Sequence, residues 1–195
     1  MSNHSSPTAG SPPALALLEV SSLARGVVVA DAVAKRARVE LLQCGPVSPG
    51  KYLVLFAGGV GETEESVAAG VAAAGDCLID RLFLPQAHEQ ILPAVRAGPA
   101  GRAHAASEEP AGLVELHSVA AALRSADAAC KAAEVRLQLL HLARGIGGKA
   151  WFIIRGDLES VEASVLAATQ AAGEGLLAGA EIIPRPHGDL RGFAL

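Results

Sequence analysis

The stretch Gly45-Pro46-Val47-Ser48-Pro49-Gly50-Lys51-Tyr52 has the glycine, four-residue gap and Gly-Lys of a phosphate-binding loop. Such a loop works by aiming free backbone N–H groups and a helix N-terminus at phosphate, with a Ser or Thr after the lysine for Mg²⁺. Here Tyr52 stands where the hydroxyl should be, Pro46 and Pro49 remove two N–H donors, and "YLVLF" reads as a strand. Nucleotide binding is therefore not expected, and the loop needs another purpose. None of the six histidines stands at H-x-H or H-x-x-x-H spacing with another, so no local metal site is indicated. His88 and His187 hold matching places after the last strand of each half of the chain, as expected of a turn-capping or contact residue. No G-x-S-x-G motif supports a nucleophilic serine.

The remaining reactive side chains also read as structural. Cys44, Cys77 and Cys130 are odd in number and form no C-x-x-C pair, so neither a disulfide framework nor a zinc site is expected, and a reducing cytosol fits. Cys44 and Cys130 lie among apolar neighbours and read as small core residues. Asp31/Lys35 and Asp127/Lys131 place acid four residues before base, the favourable helical order. Their recurrence points to more than a surface bridge. Gly70 interrupts a helical pattern at a cost of about 1 kcal/mol relative to alanine, which suggests close approach of another backbone.

These residues need elements to hold them. With 195 residues, 51% hydrophobic but only 3% aromatic, the chain can build thin, closely packed layers from small side chains. A net charge of −4 without any basic run gives no footprint for nucleic acid, and no apolar stretch nears the roughly 20 residues of a membrane span. The opening "MSNHSSPTAGSPP" is Ser/Pro/Gly-rich, lacks the features of a secretory leader, and reads as a disordered tail.

The dominant feature is an internal repeat. Glu19, Ser22, Asp31, Lys35 and Val39 fall on Glu115, Ser118, Asp127, Lys131 and Val135 at an offset of 96. Gly50-Lys51, Gly58, Glu64 and Gly75 fall on Gly148-Lys149, Gly156, Glu162 and Gly173 at 98, and Pro85 and His88 fall on Pro184 and His187 at 99. The drift implies small loop insertions between two copies of one unit. Expected boundaries are a tail over 1–13, a first domain over 14–97, a Gly/Pro/Ala/Glu-rich linker over 98–110 and a second domain over 111–195.

Each unit reads as strand, helix, two strands around the Gly-Lys loop, helix and strand. Ala30, Val33, Ala34 and Ala37 share one helical face; 39–44 with 52–56, and 135–142 with 150–154, form the strand pairs. Asp157 is a plausible N-cap and Gly173 a helix stop. The order β-α-β-β-α-β predicts an α+β fold, two tandem split-βαβ (ferredoxin-like) domains with antiparallel-leaning sheets.

Two successive runs of "E-(V/L)-x-S … A-D-A-x-x-K … G-K … G … P-x-x-H" over nearly the whole chain resemble the tandem-domain, trimeric shell proteins of bacterial microcompartments, in the unpermuted order. "ADAACKAAEVRL", "GIGGK" and "IIPRPH" are the most specific stretches. The resemblance implies a cytoplasmic microcompartment shell protein without a reaction of its own. Homotrimers would form pseudohexameric tiles beside other shell proteins, hexamers and pentamers, with encapsulated enzymes as possible partners, and neither nucleic acid nor membrane among them. It implies that Val47, Ser48, Pro49, Gly50, Gly145, Ile146, Gly147 and Gly148 line a central pore for small polar metabolites. It also places Lys35, Lys131, Arg185, His88 and His187 at tile edges, with Gln86 replacing arginine in the first copy so that the edges differ.

Glycine and proline suit a crowded rotation axis, and a threefold axis turns Ser48 into a ring of hydroxyls. Some similar tandem proteins, of the propanediol-utilisation kind, carry cysteine at that place and hold an iron–sulfur cluster. Serine is too hard a ligand to replace thiolate, so no cofactor is expected. The competing reading of the same fold is a ferredoxin-like regulatory module that binds a small ligand.

Overall fold

The computed structural model describes residues 13–98, 108–143 and 145–190. Most of the expected tail and the greater part of the expected linker lie outside those residues. The first copy runs β1 (Ala14–Val20), α1 (Leu23–Arg36), β2 (Val39–Val47), β3 (Lys51–Gly58), α2 (Val60–Ala74) and β4 (Leu78–Leu84). A helix α3 (Ile91–Ala97) follows, which the repeat had not suggested. The second copy runs β5 (Ala111–Leu116), α4 (Val119–Ala132), β6 (Arg136–Leu142), β7 (Ala150–Arg155), α5 (Leu158–Ala171) and β8 (Leu177–Ile183).

Both expected units are present, each with one wholly antiparallel four-stranded sheet, in the orders β2-β3-β1-β4 and β6-β7-β5-β8. Even the irregularities repeat. A bulge lies between Leu41 and Gln43 and again between Leu137 and Leu139, and others follow Glu19 and Glu115. Ser22, Ser118 and Asp157 accept N-capping hydrogen bonds from the N–H groups of Arg25, Ala121 and Ser160. Burial of α1 falls on Gly26, Val29 and Val33, one turn earlier than the expected face through Ala37, which is the cap. The reason is Gly26, where a Cβ would run into the Tyr52 ring; a glycine on a packing face leaves no mark in apolar periodicity.

Every residue of β1 is buried, because both faces of its sheet are covered. Ala16, Leu18 and Val20 join Val29, Val33, Val54 and Phe56 under α1 and α2. Leu15 and Leu17, on the other face, belong to a larger core that includes Val119, Leu123 and Ala126 of α4 and Ile91 of α3. The two copies therefore share a core: α4 packs on β1 and β4 of the first copy as well as on its own sheet. Gly70 does meet a close approach, though from the Leu18 and Val33 side chains instead of a backbone.

Candidate functional site

The two Gly-Lys loops come from different copies and lie side by side. The first, residues 48–50, links β2 to β3 through a turn in which Gly50 N–H donates to Val47 O at 2.9 Å, with Gly50 at φ 104° and a cis Ser48–Pro49 bond. The second, around 145–148, holds Gly145, Gly147 and Gly148 at φ 74°, 67° and 81°. A Cβ on Gly148 would stand 2.7 Å from the Ser48 carbonyl oxygen and 3.0 Å from Pro49 Cδ. Ser48, Pro49, Gly50, Gly145 and Gly147 are exposed, Ile146 is half-buried, and Val47 and Gly148 are buried. The structure thus sets the two loops against each other, with Gly148 beside Ser48 and Pro49.

The lysines of the two motifs are engaged by carboxylates. Lys51 Nζ donates to Glu19 at 3.2 Å and Lys149 Nζ to Glu115 at 3.0 Å, each an ion pair across the sheet. A lysine held this way is not offered to phosphate, in keeping with the missing hydroxyl and N–H donors. Nor do the loop residues fit a thiolate-held cluster: Ser48 supplies a hydroxyl, a hard ligand in place of a thiolate. Cys44 lies on β2 and is exposed, not a core residue as its neighbours suggested, because β2 is an edge strand; Cys130 is buried as expected. Among the described residues no group of three His, Cys, Asp or Glu side chains is placed to hold a metal ion.

A second site is the seam between copies. Glu19 is fully buried, and its carboxylate accepts from Ala120 N–H at 3.0 Å in the first turn of α4, where the helix dipole favours negative charge. Asp127 accepts from His88 N–H at 2.7 Å, while Lys131 Nζ reaches both Asp127 and Gln86 O at 2.7 Å. His88 Nδ1 accepts from Gln90 N–H, so its ring closes the turn after β4. The second acid–base pair is thus a bolt between domains; the first is a surface pair, with Lys35 Nζ 2.7 Å from Asp31 and both side chains largely exposed. Arg185 and His187 are exposed too. Of the five expected edge residues the structure joins Lys131 to the His88 segment and leaves Lys35, Arg185 and His187 open.

Sequence reasoning missed one feature of this seam. Beside it lies a cleft of about 410 Å³, lined in part by His88, Cys130, Glu109, Arg136 and Arg155. Arg155 is buried at its base, donating to Gln138 and to Glu109 O, and burial lowers its pKa. Ala57 occupies the matching position in the first copy, so the repeat gave no signal for it.

Relatives of known kind share this fold. The BMC domain matches twice, over residues 14–87 and 111–186. The shell protein PduT of Citrobacter freundii is 41% identical over 175 residues, covering 89% of this chain and 93% of its own. The shell protein EutM of Salmonella typhimurium is 36% identical over 83 residues, 42% of this chain but 84% of EutM. A microcompartment protein from Desulfitobacterium hafniense superimposes with a TM-score of 0.83 at 38% identity, covering 93% of this chain and 99% of the other. The fused permuted shell protein MSM0275 shares the fold at a TM-score of 0.60 and 19% identity. With two successive domain matches and near full-length similarity to PduT, the chain belongs to the BMC domain family of bacterial microcompartment shell proteins, as a tandem member.

Proposed function

We propose that three copies of this chain close head to tail into a pseudohexameric tile of a microcompartment shell in the bacterial cytoplasm, with the paired loops around a central pore for small polar metabolites. The tile carries no reaction of its own and packs edge to edge with other shell proteins around enzyme cargo. Lys35, Lys131, Arg185, His88 and His187 lie toward its rim. Among the described residues no helix is long and apolar enough to cross a membrane.

One observation carries this reading: the seam inside the chain has an unfilled counterpart at its two ends. On α4 ten residues are buried, on α1 three. Val119 and Leu123 of α4 are fully buried, whereas the matching Leu23 and Val27 of α1 are 47% and 57% exposed. Covering the exposed half of each such side chain gains about 1 kcal/mol, roughly half of the value for full burial. Glu19 is buried against α4, whereas Glu115 is 45% exposed. The second sheet thus offers the groups that the first uses, and α1 offers the face that α4 has already buried. A surface that fits a different surface on an identical chain builds rings when the rotation closes. Because each chain already supplies two of six places, three chains complete the circle, and the adjacent loops then meet around the axis.

Sedimentation of the purified protein tests this. The expected species has three times the 19.7 kDa chain mass. A monomer at all concentrations refutes the ring, and a trimer with Ser48 far from its axis refutes the pore.

A further inference from the structure

After β4 and after β8 the chain builds the same turn. Gln90 N–H donates to His88 Nδ1 at 3.3 Å and Ile91 N–H to His88 O at 2.9 Å. Asp189 N–H donates to His187 Nδ1 at 3.2 Å and Leu190 N–H to His187 O at 3.0 Å. Gln90 therefore matches Asp189, and Ile91 matches Leu190, in backbone geometry as well as in sequence offset.

Their surroundings differ. The Gln90 amide serves the outer edge of β6: Nε2 donates to Val135 O at 2.7 Å and Oε1 accepts from Leu137 N–H at 2.8 Å. Ile91 is fully buried and opens α3, which packs on β6. By contrast the Asp189 side chain is almost wholly exposed, and Leu190 is 38% exposed.

The receiving edge is duplicated too. Val39 N–H donates to Ala37 O at 3.0 Å as β2 begins, Val135 N–H donates to Ala133 O at 3.0 Å before β6, and the same bulge follows in each. Yet Leu137 is fully buried under its cover, while Leu41, its match on β2, is 41% exposed. An exposed Leu41 on an edge strand and an exposed Leu190 on a turn thus stand far apart in one chain, each the copy of a residue that is already buried at the internal seam.

We infer that the Gly188–Leu190 segment of one chain straps the β2 edge of the next, with Leu190 seated beside Leu41 and the Asp189 carboxylate accepting the Leu41 N–H. The inference rests on the ring reading and adds the contact that fastens each seam. It also sets a difference between seams. Aspartate has no donor, so it cannot supply the second bond that Gln90 makes to Val135 O, and the seam between chains is weaker here than the seam within one.

A dilution series of the full chain followed by mass photometry tests the strap. Leu190→Asp is expected to weaken trimer association at least tenfold at each interface, and Asp189→Gln, which restores the donor, to tighten it several-fold. Leu166→Asp, at an exposed leucine on α5, leaves association unchanged. A wild-type trimer whose affinity is indifferent to both the Leu190 and the Asp189 changes overturns the strap and leaves the ring standing. A wild-type chain that never associates overturns both.

Discussion

Removing the Glu19 carboxylate provides the most direct test of how the two copies are held together. It accepts a hydrogen bond from Ala120 N–H, faces the positive end of α4 and pairs with Lys51, while being wholly shielded from water. Glu19→Ala leaves the Ala120 N–H unsatisfied and the Lys51 ammonium, only 22% exposed, without its carboxylate. Stripping one partner from a fully buried pair costs about 3–5 kcal/mol; the partial exposure of Lys51 argues for the lower end, about 3 kcal/mol. For a chain of this length each kcal/mol moves the melting temperature by roughly 2–4 °C, so Glu19→Ala should melt about 6–12 °C below wild type in a circular dichroism scan. Glu19→Gln keeps an acceptor for Ala120 and should lose about half as much. Glu115→Ala offers the contrast: on the single chain its exposed pair with Lys149 is worth about 0.2–1 kcal/mol, so its main effect should be a weaker trimer. A shift under about 2 °C for Glu19→Ala, or equal shifts for Glu19→Ala and Glu115→Ala in isolated chains, would refute the reasoning.

Two further outcomes follow from local geometry. The N–H and hydroxyl of Ser160 hold the Asp157 carboxyl below its ordinary value, so its stabilising effect is complete above about pH 3.9, the unfolded value, and is lost as pH falls through the lower folded value; Asp157→Ala should melt below wild type at pH 7, with the gap closing in acid, and a constant gap across pH would contradict the cap. Gly148→Ala puts a side chain at φ 81° against the Ser48 carbonyl and should cost about 1–2 kcal/mol or more in thermal unfolding, more than Gly145→Ala, whose Cβ meets open space; equal losses would show that the two loops are not in contact.

The repeat made most of the fold legible, because a landmark seen twice at a steady offset marks a place in a unit as well as a residue type. Ser22 and Ser118 as caps and the paired Gly-Lys loops were readable for that reason. What occurs once was not. Helix α3 carries no landmark shared with the second copy's sequence, and Pro93 at its third residue resembles a breaker, although proline is tolerated in a first turn. Buried Arg155 sits where the first copy has alanine, so no pattern announced it. The exposure of Leu23 and Val27 was also hidden, since apolar periodicity marks a face that wants cover without saying whether the same chain supplies it. The two Gly-Lys loops could be named from the repeat, but their mutual contact required the fold.

In the proposed ring every second junction is sealed within a single polypeptide, so its partners meet at the high effective concentration of a tethered encounter. Separate one-domain subunits would have to gather six at a time, so the abundance of finished discs would fall with the sixth power of free subunit; fused pairs reduce this to the third. The same fusion releases the two loops from having to be identical. Proline–serine and triple-glycine bends can then alternate around one opening, a pattern denied to any disc made from six equal pieces.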